Sequence, residues 1–88
     1  MYILYFTNDA CKDYKTINKS AYKIKIQELL ETIKNNPFQN PPPYKKLVGD
    51  YSGAYSRRIN LQHRLFYEVD EKNKRIKILR MWGHYGDN

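Results

Sequence analysis

AYSRRINLQHRLFYEVD, residues 54–70, is the stretch whose reading decides the fold. Within it Leu65, Tyr67 and Val69 alternate with Arg64, Phe66 and Glu68, the period-two signature of a half-buried strand. Ala54–Asn60 reads as one strand and His63–Asp70 as the next, joined by a tight turn near Leu61-Gln62. Asp70-Glu71-Lys72-Asn73-Lys74 is a hairpin loop of turn formers and charges. A last strand then runs from about Arg75 to Trp82.

Upstream the period changes. Tyr2–Phe6 is a short apolar run that reads as a buried first strand, ended by Thr7-Asn8-Asp9 in the manner of a helix cap. Ala10, Tyr14 and Ile17 fall at helical spacing between Asp9 and about Asn18. Ser20 suits the N-cap of a longer helix reaching about Asn35, with Tyr22, Ile26, Leu29, Leu30 and Ile33 as its core-facing stripe. Asn35-Asn36-Pro37 stops that helix. Pro37–Pro43 reads as an irregular connector, because proline fixes φ and removes donors. Tyr44–Tyr51 reads as a second irregular stretch. The order β-α-α-β-β-β predicts an α+β domain over residues 1–88, a small, mainly antiparallel sheet with two helices packed on one face.

Composition narrows the class. Eighty-eight residues make one domain. A hydrophobic share of 41% and an aromatic share of 15% are too high for a chain disordered by composition. Cys11 is the single cysteine, so a disulfide scaffold is excluded. No apolar run approaches a membrane span, and the N-terminal stretch lacks the basic region of a signal peptide. A reducing cytoplasm is the expected location.

Sixteen Lys and Arg against nine Asp and Glu leave a net charge of +7. Residues 1–40 hold six basic and four acidic side chains, and residues 41–88 hold ten and five. The excess therefore lies in the half that carries the three strands, which points to a polyanionic partner, nucleic acid first. Soft metal ligands are limited to Cys11, His63 and His84, without metal-site spacing, and no cofactor is expected. No glycine loop for phosphate and no nucleophile elbow is present. What remains is a set of bases on short strands. Arg57 and Arg58 are adjacent and so point to opposite faces, and Arg64 lies across the turn from Arg58. Like charges placed close together favour an anion between them. The alternative is a solvated face whose bases stand too far apart to interact. His84 can exchange a proton near neutral pH, and Tyr85 beside it can stack on a base.

Ser56-Arg57-Arg58-Ile59-Asn60, His63-Arg64-Leu65, Tyr67 and the closing Trp82-Gly83-His84-Tyr85 together resemble the Txe/YoeB family of the RelE/ParE toxin–antitoxin superfamily. Asn36-Pro37-Phe38, Lys46-Leu47 and Ser52-Gly53 extend the resemblance over essentially the whole chain. It implies a RelE-like fold and an mRNA endoribonuclease that acts in the ribosomal A site, without metal, until a YefM-like antitoxin neutralises it. It further implies Arg64 as the active-site arginine, Arg58 as a second arginine on the scissile phosphate, His84 as general acid and Tyr85 as a base-stacking neighbour. Arg57 and Lys46 join the candidate phosphate contacts.

Such cleavage uses the ribose 2′-OH as nucleophile. One group takes its proton, others neutralise the pentacoordinate phosphorane, and one protonates the departing 5′-oxygen. Guanidinium suits the second task by bidentate geometry, and histidine the third. The chain departs from the pattern at Lys45, where the YoeB branch carries a general-base Glu. Three readings stand. Lys45 is the base, its neutral form favoured by like-charge repulsion from Arg58, Arg64 and Lys46; or Asp50 reaches in; or the toxin is weakened. A non-catalytic module that binds RNA, ribosome or antitoxin is the competing function, and a gyrase-directed toxin of the ParE branch a weaker one. Expected partners are an acidic antitoxin segment that orders on binding, the ribosome and mRNA, operator DNA only through the antitoxin, and a second copy of the chain. No membrane partner is expected.

Overall fold

The apolar alternation at 64–70 and its flanking turns produce the centre of a five-stranded sheet. In this computed structural model, which describes residues 1–83 and gives Asp50 in its backbone alone, β1 spans Ile3–Phe6, α1 Asn8–Ile17, α2 Lys23–Asn35, β2 Lys45–Lys46, β3 Ala54–Arg58, β4 Arg64–Asp70 and β5 Arg75–Gly83. A 3-10 turn occupies Gly49–Tyr51. The sheet order is β1-β5-β4-β3-β2. The β2-β3, β3-β4 and β4-β5 pairs are antiparallel, while β1 lies parallel to β5 at one edge. The α+β architecture is as expected. No helix among the described residues is long and apolar enough to cross a membrane.

One face of the sheet carries the main core. Ala10 and Ile17 of α1 and Ile26, Leu29 and Ile33 of α2 pack against Leu65, Tyr67, Ile76 and Ile78. α1 starts where Thr7 serves as its N-cap. The Thr7 hydroxyl accepts from the Ala10 N–H at 3.0 Å and donates to the Leu79 carbonyl at 2.7 Å, so one side chain caps the helix and ties it to β5. The opposite face buries a smaller cluster of Leu47, Ala54 and Phe66, with Leu79 against it. Phe66, on the side of β4 expected to be wet, is therefore buried as deeply as its neighbours.

Three local readings are corrected. Residues 44–51 are not wholly irregular: Lys45 pairs with Ser56 and Lys46 with Tyr55. Two lysines hide this strand from an apolar-period reading, and Leu47 anchors it by donating to the Ala54 carbonyl at 2.8 Å. Gly53, at φ 93°, turns the chain between these strands in a region where side chains are strained. β1 is an edge strand rather than a buried one, with Ile3 67% exposed. An apolar run reports β propensity, and burial depends on how many neighbours the strand receives. Helix α2 begins three residues after Ser20. The Ser20 hydroxyl donates to the Ile17 carbonyl and accepts from the Tyr22 N–H, closing the end of α1 instead of capping α2.

α1 also holds the far end of β5. Asp13 accepts from Arg80 Nε at 2.8 Å, from Nη2 at 3.1 Å, and from the backbone N–H groups of Met81 and Trp82. The carboxylate in turn pushes the Arg80 guanidinium further above its already high range. Asp13→Ala removes an ionised acceptor from two backbone donors and is expected to lower the unfolding free energy by about 2–3 kcal/mol, read by urea denaturation.

Candidate active site

Register assembles the site. Side chains paired across neighbouring strands share a face. Lys45 pairs with Ser56, Ser56 with Phe66 and Arg58 with Arg64, so Lys45, Ser56, Arg58 and Arg64 all stand on the face away from the helices. Lys45, Arg58 and Arg64, with Pro43 and Tyr44, line an open cleft of about 400 Å³. Lys45 and Arg58 are exposed, and Arg64 is half-buried. Arg64 Nη1 donates to the hydroxyl of the fully buried Ser56 at 3.0 Å, which holds the guanidinium against the sheet. Three cations around one open cleft repel one another, and an anion in the cleft reverses the sign of that energy. A phosphodiester is such an anion, and guanidinium matches its oxygens in pairs.

Two sequence-level assignments are corrected. Arg57, expected to touch phosphate, is fully buried on the opposite face. Its Nε donates to the Tyr67 hydroxyl at 3.1 Å, Nη1 to the Pro42 carbonyl at 2.6 Å, and Nη2 to the carbonyls of Pro37 and Gln39, each at 2.9 Å. Burial raises the Tyr67 hydroxyl above its ordinary value while Arg57 pulls it down. The phenol thus keeps its proton and donates it to the Pro37 carbonyl at 2.8 Å. Lys46 pairs with Tyr55 and takes the same face as Arg57, away from the cleft. The reason in both cases is strand alternation: neighbours in sequence go to opposite sides.

His84 and Tyr85 lie outside the described residues. The strand that leads to them is described to its end: Gly83 is the cross-strand partner of Arg64. Just before it, the Trp82 ring stacks on His63 at 3.8 Å and 10°, and meets Tyr22, the residue before α2, at 5.8 Å. Asp50, the alternative base, has its backbone in the 3-10 turn that follows β2. Sequence reasoning missed Ser56, Pro43 and Tyr44. Ser56 carried a usable signal, since it alternates with Arg57 on the strand; the other two became neighbours of the arginines only through β2.

A family model described as the YoeB-like toxin of bacterial type II toxin–antitoxin systems matches residues 6–85. The chain belongs to the YoeB toxin family. Toxin YoeB of Streptomyces coelicolor is 37% identical over 82 residues, covering 91% of this chain and 95% of that protein. The YoeB dimer from Staphylococcus aureus superposes with a TM-score of 0.81 at 37% identity, covering 96% of this chain and 98% of the other. The heterotetrameric YoeB-YefM toxin–antitoxin complex from the same organism gives 0.80 at 36% identity, covering 97% and 99%. The RelE-like α+β architecture expected from the sequence is that of these YoeB structures, and the chain is a toxin of a toxin–antitoxin system.

Proposed function

We propose that this YoeB toxin is a ribosome-dependent mRNA endoribonuclease that cuts in the A site and stops translation. The observation that carries the reading is the convergence of Lys45, Arg58 and Arg64 on one open cleft, with Arg64 paired to the residue preceding His84.

Lys45 takes the proton from the ribose 2′-OH as the oxygen attacks phosphorus. Arg64, held by Ser56, and Arg58 neutralise the charge that grows on the phosphorane oxygens. His84 gives its proton to the 5′-oxygen as the P–O5′ bond breaks, leaving a 2′,3′-cyclic phosphate and a 5′-OH. Tyr85 stacks on the neighbouring base. In this scheme one side chain takes up the 2′-OH proton, another gives the proton to the leaving 5′-oxygen, and the arginines supply the compensating positive charge. In the cytoplasm an acidic, YefM-like antitoxin segment covers the same cations and orders as it binds. Any contact with operator DNA runs through that antitoxin. The Staphylococcus aureus relatives, solved as a dimer and as a complex with YefM, support both partners for this chain.

Single-turnover cleavage of mRNA on programmed ribosomes tests the roles. Lys45→Ala and His84→Ala are each expected to slow cleavage by ~10²–10⁴-fold, with ribosome affinity little changed. Asp50→Ala is expected to leave the rate intact. Wild-type speed from Lys45→Ala removes the lysine from the mechanism. A large gain from Lys45→Glu identifies a weakened toxin, and intact mRNA with the wild-type protein identifies a binding module.

A further inference from the structure

Arg57 is fully buried, yet three of its four partners lie on the segment that leads to the cleft. Its guanidinium gathers the carbonyls of Pro37, Gln39 and Pro42 and the Tyr67 hydroxyl. Three of these acceptors belong to one irregular segment. That segment runs straight into Pro43, Tyr44 and Lys45, three of the five residues lining the cleft. The guanidinium also lies over the Tyr44 ring at 5.1 Å, and that ring packs against Phe38 and Tyr55 at 5.9 Å each.

Near its start the segment is also held by Asn36, which accepts from the Phe38 and Gln39 N–H groups, and by Phe38 against Tyr55 at 5.3 Å, but its end at Pro42 is held by Arg57. β2 is a two-residue strand with one neighbour in the sheet. Arg57 itself sits on β3 between Ser56 and Arg58. The same short strand therefore presents Arg58 to the cleft on one face and grips the segment that delivers Lys45 on the other. Four of the five guanidinium donors' bonds are accounted for by these contacts, and only a planar fork reaches acceptors spread this way. A lysine at the position has one charged nitrogen and cannot bridge them.

We infer that Arg57 is a positioning residue for the reaction: by bolting the 37–44 segment to β3 it sets where Lys45 stands relative to Arg58 and Arg64. The inference rests on the proposed role of Lys45. A misplacement on the order of 1 Å is enough to cost ~10²-fold in such a step.

The test is a double-mutant cycle on the full chain, with Lys45→Ala, Arg57→Lys and the double variant. Single-turnover cleavage on programmed ribosomes is followed across ribosome concentration, well below each protein's unfolding temperature. Arg57→Lys is expected to lower the maximal rate by ~10–100-fold and to leave the half-saturating ribosome concentration within about twofold, because Arg57 touches no RNA. The double variant is expected to be no slower than Lys45→Ala alone, since a misplaced lysine and an absent one are equally useless. If Arg57→Lys does not fold, Tyr67→Phe replaces it in the same cycle; it removes the hydroxyl that links Arg57 to Pro37 and keeps the ring. Multiplying rate losses in the double variant overturn the inference while sparing the role of Lys45. A wild-type rate from the folded Arg57 or Tyr67 variant does the same. A wild-type rate from Lys45→Ala removes the base assignment itself, and the inference with it.

Discussion

Arg57→Met is expected to lower the unfolding free energy by about 3–5 kcal/mol, whereas the same change at the adjacent Arg58 is expected to stay within about 0.5 kcal/mol. The contrast comes from burial alone. Arg57 is fully enclosed, and three of its four partners are backbone carbonyls that cannot be exchanged for apolar groups. Replacing both sides of a buried polar contact is often neutral, but removing one side leaves acceptors without donors at ~1–3 kcal/mol each. Water entering the space and relief of the buried charge offset part of that sum. Arg58 is exposed, and its stem and head are already solvated. Urea denaturation at neutral pH with a constant m-value measures both. Equal small losses at the two positions refute the enclosed geometry of Arg57.

On the proposed mechanism, Arg64→Ala is expected to slow mRNA cleavage by ~10²–10³-fold, the scale of losing one preorganised donor to a developing oxyanion. Arg64→Lys is expected to recover only a minor part, because a single ammonium cannot bond two phosphate oxygens in the guanidinium's fixed geometry. The Ser56 hydroxyl already holds the Arg64 guanidinium, so in the proposed reaction the donor has little to reorganise as charge moves onto the phosphorane. Single-turnover rates at saturating toxin, with an unfolding curve for each variant, separate catalysis from stability. A folded Arg64→Ala protein that cuts at the wild-type rate refutes the placement of the transition state between Arg58 and Arg64.

Much of the fold was readable because local rules and burial agree there. The alternation at Leu65–Val69, the turn formers at Asp70–Lys74 and the stripe at Ile26, Leu29 and Ile33 each correspond to an observed strand, turn or helix face. The failures share a cause. The exposure of β1, the existence of β2 and the start of α2 depend on partners distant in sequence, which no local period encodes. The cleft followed the same division. Arg58 and Arg64 were legible as hairpin neighbours, while Lys45 joins them through the pairing of β2 with β3.

By itself the sequence determined that this is a basic α+β toxin of the YoeB family, with bases concentrated on its strands and a lysine where a carboxylate was expected. It determined also that Arg57 and Arg58 point opposite ways, since alternation is a property of the extended chain. Which of the two meets the solvent only the tertiary structure decided. The helices cover one face of the sheet, and the segment at 37–42 folds over Arg57 on that side. That choice makes one arginine a buried clamp and its neighbour a candidate ligand for phosphate.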